Sequence, residues 1–176
     1  MQIPVPRLPH RPAPLRAESD ARLTVELASV VAGARRRALR DGDRQIDTAH
    51  LLHSLIEGDG GARAAFGDGP QVARVLGYLV QRSIGYGLRW QGSVEDSGAG
   101  PAVRAAEPAG WSPSAAAAME GALVRARLRG GPRATGLDLL AAIAADHRCR
   151  AVEVLDRAGV DAGWLEGRIG ELSQQV

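Results

Sequence analysis

Hydrophobic residues recur at helical spacing through most of the chain. Leu27, Val31, Ala34 and Ala38 are separated by four, three and four residues, so they fall on one face of a helix. Thr24 stands just before this run, where its hydroxyl can accept a hydrogen bond from a free amide of the first turn. No strand-like alternation of apolar and polar residues interrupts the pattern. The hydrophobic pattern therefore predicts an all-α protein.

A second helix is predicted in the stretch DTAHLLHSLIEGDG, which begins at Asp47. Either Asp47 or Thr48 caps this helix, and Leu51, Leu52 and Leu55 lie on the face that would bury against the first helix. A short third helix and a longer fourth one are predicted at residues 62–66 and 71–84. The four helices make one supersecondary unit.

The same pattern returns 88 residues later. At this offset His50 falls on Asp138, and the register continues without a break in both directions. Leu51-Leu52 falls on Leu139-Leu140, and Leu23-Thr24 falls on Trp111-Ser112. We therefore predict two copies of one four-helix unit, at residues 23–86 and 111–174, joined by a loop at residues 87–110.

The second copy carries its own helix-start signals. Ser112 takes the place of Thr24, and Pro113 follows at the first helical position, where a missing N–H costs little. Thr135, followed three residues later by Asp138, resembles a capping box. Two further helices are predicted at residues 151–158 and 161–172. Because each copy leaves an apolar face, we expect the copies to cover each other in one globule.

Composition narrows the class of protein. The chain has 176 residues and is 45% hydrophobic, which suits one domain or two small ones. The single cysteine cannot form an internal disulfide, and no apolar run has membrane-spanning length, so we expect a cytoplasmic protein without a membrane partner. Residues 1–20 are proline-rich and are predicted to be a disordered leader, with polyproline-type partner binding as the alternative. Trp90 is predicted to tack the internal loop onto the bundle.

The basic residues exclude one kind of phosphate-binding site and leave two interpretations of an arginine run. All 22 basic residues are arginine, so the GxxxxGK(S/T) phosphate loop of many nucleoside triphosphatases is excluded. The net charge is only +2, which does not indicate a nucleic-acid interface. The run at residues 35–37, continuing to Arg40, is interpreted as a solvated helix face because consecutive helical residues point in different directions. The alternative is a grip on phosphates or an acidic partner, in a small nucleic-acid-binding or transcription-associated protein.

Two pairs of residues invite a chemical interpretation. His50 and His53 have a spacing that can place two ligands on one metal, but no third ligand is evident, so we expect neither metal nor cofactor. Cys149 follows His147 closely, yet near neighbours in sequence do not generally face each other and no orienting group is evident. We therefore predict no catalytic residues and no enzyme activity.

The order of the motifs resembles the N-terminal domain of Clp-type AAA+ unfoldases, especially the ClpC and ClpA group. In that family the first helix begins Phe-Thr, and the matching residues here are Leu23-Thr24 and Trp111-Ser112-Pro113. The second helix of the family begins Gly-Thr-Glu-His-Leu-Leu, where this chain has DTAHLL and TGLDLL. The resemblance covers residues 21–174 and implies one Clp N-domain-like globule built from two pseudo-symmetric four-helix repeats.

The resemblance also implies a function. We expect a free-standing, non-catalytic module that binds proteins or peptides in connection with Clp proteolysis. It could act as an adaptor, a regulator or a decoy of the unfoldase N-domain. The expected partners are unfolded or tagged proteins, Clp unfoldase components or cyclic peptides that target the N-domain. Nucleic acid is not an expected partner, and the oligomeric state is left open.

Six residues are the ligand-binding positions that the resemblance implies: Leu23, Thr24, Ala49, Trp111, Ser112 and Leu137. Ala49 and Leu137 match a glutamate that, in ClpC-like members, helps hold the guanidinium of phosphoarginine. Because a carboxylate–guanidinium pair is a main source of such recognition, we expect that ligand to be lost here. Trp111 is either a hot spot for a ligand or a staple that holds the fifth helix in the core.

Overall fold

The computed structural model describes residues 21–84, 93–96 and 110–175. Within these residues the chain forms eight α-helices and no β-strand, so the predicted all-α class is confirmed. The helices are α1 Val25–Asp41, α2 Thr48–Gly58, α3 Gly60–Ala64, α4 Gln71–Ser83, α5 Pro113–Leu128, α6 Gly136–Ala144, α7 Arg150–Arg157 and α8 Ala162–Ser173. None of these helices combines the length and hydropathy that a membrane span needs. The predicted leader and Trp90 lie outside the described residues.

The first helix of each copy begins and ends in the same way. The Thr24 hydroxyl accepts the Leu27 amide at 3.2 Å, and the Ser112 hydroxyl accepts the Ala115 amide at 3.0 Å, as predicted. Near the other end, the backbone turns into the left-handed region at Gly42 (φ 72°) and Gly130 (φ 76°). Glycine adopts this conformation without steric cost, so the two glycines stop equivalent helices.

The second helix of each copy begins with a capping box. In α2 the Asp47 carboxylate accepts the His50 amide at 2.9 Å, and His50 Nδ1 accepts the Asp47 amide at 3.0 Å. In α6 the Thr135 hydroxyl accepts the Asp138 amide at 3.3 Å, and Asp138 accepts the Thr135 amide at 2.9 Å. The predicted capping box of α6 is confirmed, and Asp47 rather than Thr48 caps α2.

The helix faces follow the hydrophobic pattern with small corrections. Leu27, Val30, Ala34 and Ala38 are the buried residues of α1, whereas Val31 is only partly buried at the edge of the core. The prediction was therefore wrong by one position in the second turn. The α2 face is as predicted, since Leu51, Leu52 and Leu55 are fully buried.

The last helix shows a second correction. Trp164 was predicted to belong to the apolar stripe, but 43% of its surface is exposed, while Leu165 and Ile169 are buried. The helix begins at Ala162, just after its cap Asp161, so Trp164 falls in the first turn beside the solvent. Short α3 begins at Gly60, two residues before its predicted start, because Asp59 caps it by accepting the Ala62 amide at 2.8 Å.

Two short backbone bridges join the copies. Leu23 pairs with Ala134 in parallel, and Trp111 pairs with Ile46 in parallel. Thr24 donates its amide to the Ala134 carbonyl at 2.9 Å, and Ser112, 88 residues later, donates its own to the Ile46 carbonyl at 2.9 Å. The start of each copy's first helix therefore lies beside the start of the other copy's second helix. This exchange is what a two-fold arrangement requires; the overlay of the complete copies stays a prediction.

Candidate functional site

The exchange creates two junctions at matching positions of the 88-residue offset, and one of them is open. A cleft of about 170 Å³ lies where the start of α1 meets the start of α6. We call it the open cleft; its lining residues are Thr24, Glu26, Asp59, Gly61, Arg129, Thr135, Gly136, Leu137 and Ser173. Thr24 and Leu137, two of the predicted ligand residues, thus face the same space.

Charged groups of both signs border the open cleft. Arg129 donates to the Asp138 carboxylate at 2.7 Å, and this hydrogen bond raises the pKa of Arg129. On the other side, Asp59 lies so close to Gly136 that a Cβ added there would stand 2.2 Å from its Oδ2. Position 136 therefore has to be glycine for the Asp59 carboxylate to rest against α6. The mouth of the cleft offers hydrogen-bond donors and acceptors around the apolar Leu137 side chain.

The second junction is closed by the chain's own Glu95. This residue lies between the copies in sequence, and its carboxylate enters the place where the start of α2 meets the start of α5. Its Oε2 accepts the Thr48 amide at 2.9 Å and the Ser112 hydroxyl at 2.7 Å. Its Oε1 accepts the Arg150 amide at 2.8 Å and the Thr48 hydroxyl. Glu95 is only 4% exposed, so its carboxylate fills this junction.

Arg150 links the closed junction to a second buried carboxylate. Its guanidinium donates to the Ser93 hydroxyl at 2.8 Å and to Asp47 Oδ2 at 2.9 Å, and Arg82 also donates to Asp47. Burial alone would raise the pKa of Asp47. Its hydrogen bonds to His50 and the positive charge of Arg82 outweigh that effect and hold the pKa of Asp47 far below its ordinary value. An ionised Asp47 thus ties α2, α4 and α7 together.

Solved structures resemble this arrangement over most of its length. The N-terminal domain of the caseinolytic protease-associated chaperone ClpD from Arabidopsis thaliana matches with a TM-score of 0.61 and 17% identity, covering 85% of this chain and 93% of that domain. The chain has the fold of a Clp N-terminal domain. A structure described as a preliminary investigation of a malarial protein secretion system matches with a TM-score of 0.65 and 12% identity, covering 88% of this chain and 97% of that one. No family model and no curated protein matches the sequence.

Within this Clp N-domain fold the six predicted ligand residues have different surroundings. Thr24 and Leu137 line the open cleft, and Trp111 is half-buried where it bridges to Ile46. Leu23, Ala49 and Ser112 are buried, at 6%, 0% and 0% exposure. The ligand role of the set stays a prediction, and for these three buried residues it would require the junctions to open.

Glu95 and Asp59 are the functional candidates that the sequence pattern did not reveal. Glu95 lies in a Gly- and Ser-rich stretch without periodicity, so nothing local indicates that it folds back between the copies. Asp59 shows only an ordinary capping signal before α3. The roles of both carboxylates depend on contacts with residues far away in sequence, and helical periodicity gives no information on such contacts.

His50 belongs to a cluster whose spacing would allow a metal ion, together with Asp41 and Asp43. Its Nε2 lies 3.0 Å from Asp43 Oδ2 but makes no hydrogen bond of good geometry. Because Nδ1 accepts the Asp47 amide, the single proton of a neutral ring sits on Nε2 and occupies the position a metal would need. His53 does not join the cluster, since it contacts Glu57 at 3.2 Å. The ring of His50 is better explained as a helix cap than as a ligand.

Cys149 lacks the features of a nucleophile. It is 1% exposed, and burial raises the pKa of its thiol to about 12. Its sulfur lies 3.7 Å from the Ile143 carbonyl, while the neighbouring His147 is exposed. At neutral pH such a thiol stays protonated, and a protonated thiol is a poor nucleophile.

Proposed function

We propose that the chain is a non-catalytic protein- or peptide-binding module linked to Clp proteolysis. One observation carries the proposal: of two junctions at matching positions of the copies, one holds the chain's own Glu95 and the other is an open cleft. Concave sites that combine apolar side chains with a few placed polar groups are typical of ligand-binding sites. In the open cleft, Leu137 supplies the apolar contact, and Thr24 and Thr135 stand at the helix starts beside it.

A role beside an unfoldase is supported by the fold rather than by any catalytic group. A module of this kind would act as an adaptor or regulator if it held a client and an unfoldase together. It would act as a decoy if it competed for ligands of the unfoldase N-domain, including cyclic peptides, and it would then lower their free concentration by mass action.

Phosphoarginine is not the ligand that we propose. The two positions that match the family's glutamates are Ala49, which is fully buried, and Leu137. At the junction beside Ala49, the Glu95 carboxylate already takes the donors of Thr48 and Ser112. A second anion entering there would meet a negative charge instead of free donors.

Fluorescence titration tests the proposal directly. In a chain carrying Trp90→Phe and Trp164→Phe, Trp111 is the remaining tryptophan and stands at the closed junction, so its fluorescence reports binding through a change in the contact between the copies. The chain is titrated with a reduced, carboxymethylated protein that cannot fold, and separately with a purified Clp-type unfoldase. The proposal predicts saturable binding to at least one of them. Binding to neither, together with salt-sensitive binding to duplex DNA, would favour the nucleic-acid alternative.

A further inference from the structure

A cleft larger than the open cleft lies away from the junctions, between α1 and α2 of the first copy. Its volume is about 450 Å³, within the range of roughly 300–1,000 Å³ that small-molecule sites occupy. We call it the arginine cleft; its lining residues are Ser29, Val30, Gly33, Arg36, Arg37, Arg40, Ser54, Glu57 and Gly58. The proposed docking function does not use this cleft.

Three arginines of α1 border the arginine cleft, which corrects the expectation that this run is only a solvated face. Residues 36, 37 and 40 share one side because Arg40 is one turn after Arg36 and lies between Arg36 and Arg37 in projection along the helix. Arg37 is paired with Glu57, whereas the Arg40 guanidinium is 64% exposed and touches Asp41 only at 3.4 Å. Among the lining residues, three guanidinium groups and one carboxylate leave two positive charges in excess, and Asp41, which contacts Arg40, lies outside the lining.

His53, on the adjoining turn of α2, adds no charge at neutral pH. Burial, followed by the positive charge of Arg37, lowers the pKa of His53, and the Glu57 carboxylate opposes that shift only in part. The excess charge of the cleft is therefore that of its arginines.

A buried hydroxyl without a partner lies on the floor. Ser54 is 5% exposed, and its Oγ makes no hydrogen bond in the structure. It lies under Gly33, where an added Cβ would be 3.2 Å from Oγ, so glycine at position 33 lets the two helices approach. A buried hydroxyl without a partner costs free energy, and its retention needs a reason. Rotation of Ser54 about χ1 to another staggered rotamer is the adjustment by which Oγ can donate into the cleft.

The second copy shows that the polar lining is not needed for packing. At the equivalent helix crossing, 88 residues later, Gly121 faces Ala142, and a Cβ added at the glycine would be 3.1 Å from the alanine. The counterparts of Arg36, Arg40 and Glu57 are Val124, Leu128 and Ala145. Of the charged residues that line the cleft, only Arg37 has a charged counterpart, Arg125. The same crossing is therefore built without the hydroxyl, without two of the three arginines and without the carboxylate, and these groups belong to the first copy alone.

We propose that the arginine cleft binds the phosphate group of a small phosphate monoester. Such a group carries between −1.5 and −2 charges near neutral pH, roughly matching the excess charge of the cleft, and it offers three acceptor oxygens. Arg36 and Arg40 donate to those oxygens from the rim, and Ser54 donates from the floor. The volume exceeds what one phosphate fills, and the uncharged part of the ligand rests against Val30 and Gly58.

Calorimetry and amide NMR with three probes test this site. The probes are adenosine 5′-monophosphate, inorganic phosphate and the dicarboxylate succinate. We expect the phosphates to bind, with shifts at the amides of Gly33, Ser54 and Gly58, and succinate to bind at least about tenfold more weakly. Tighter binding of the ester than of inorganic phosphate assigns the ligand to an ester. Equal affinity assigns it to free phosphate and supports the site without the ester.

Variants separate the cleft from general surface charge. Arg36→Gln with Arg40→Gln should weaken phosphate binding at least about tenfold, whereas Arg125→Gln with Arg127→Gln, on the exposed face of α5, should leave it unchanged. Ser54→Ala should fold normally, because Ala142 serves at the equivalent crossing, and should weaken binding about threefold to tenfold. No binding of either phosphate at millimolar concentration, or equal losses in both arginine pairs, would overturn the proposal.

Discussion

The Glu95 carboxylate accepts a 2.7 Å hydrogen bond from the hydroxyl of Ser112, which caps the first helix of the second copy. The same carboxylate accepts the amides of Thr48 and Arg150, so one side chain satisfies the starts of three helices. Negative charge is favourable at helix N-termini, and here two of the starts come from the second copy and one from the first. Glu95 therefore holds the two copies together through hydrogen bonds to both of them.

Replacing Glu95 by glutamine should destabilise the fold. Each carboxylate oxygen accepts two hydrogen bonds, so an amide NH2 placed at either oxygen would face two donors instead of accepting from them. Hydrogen bonds to charged groups contribute about 1.5–3 kcal/mol each, so we expect a loss of at least about 2 kcal/mol. Urea denaturation measures the change. Glu166→Gln, at an exposed position on α8, is the control and should change stability by less than about 0.5 kcal/mol.

The caps Thr24 and Ser112 should contribute differently to the stability of the fold, although they occupy matching positions in the two copies. Thr24 caps α1 and contacts no carboxylate of the described residues in this way, so Thr24→Ala should cost about 1 kcal/mol. Ser112→Ala removes a cap and also the bond to Glu95, and it should cost about 1–2 kcal/mol more.

A double-mutant cycle isolates the bond between Ser112 and Glu95. The loss in the Glu95→Gln, Ser112→Ala pair should be smaller than the sum of the two single losses, because both single changes remove the same bond. Strict additivity would show that Glu95 contributes nothing through Ser112.

The parts of the fold that could be predicted are those set by near neighbours. The caps at Thr24, Ser112 and Thr135 depend on residues three positions away, and the glycines that end α1 and α5 depend on backbone conformation alone. Such features can be recognised in a sequence because their physics is local.

The parts that could not be predicted depend on distant contacts. Glu95 gains its role only when its loop meets three helix starts, and helical periodicity carries no signal for that. The arginines of α1 point in different directions on an isolated helix, but α2 supplies the second wall that makes them one cleft. Trp164 is exposed because it lies in the first turn of α8, and the hydrophobic pattern alone does not show which side of that turn faces solvent.

Stability should fall as the pH decreases from 7 to 5, in part through His53. The pKa of His53 lies below its ordinary value of 6.5 in the folded chain, so below pH 6.5 the unfolded chain binds the proton more readily. Its contribution to stability is present above pH 6.5 and is lost as the pH falls toward the folded-state pKa. Urea denaturation across this range measures the slope. His53→Gln should flatten it, whereas His147→Gln, which changes an exposed residue, should not.

Cys149 should resist modification in the native protein. Burial raises the pKa of its thiol to about 12, so the thiolate fraction at pH 8 is roughly a thousandfold below that of an ordinary cysteine. A disulfide reagent that absorbs on release of its leaving group should react slowly before urea is added and rapidly afterwards. Rapid reaction of the folded chain would show that the pocket around Cys149 opens frequently.

The measurement closest to the central claim is amide NMR of the chain titrated with the carboxymethylated unfolded protein, comparing Leu137→Ala with Leu128→Ala. Leu137 lines the open cleft, and Leu128 is a leucine on α5 with 83% exposure outside it. The account predicts shifts at Thr24, Gly61 and Gly136, and binding that Leu137→Ala weakens while Leu128→Ala leaves it intact. Equal affinity in both variants, with shifts spread evenly over the surface, would contradict a docking role for the open cleft.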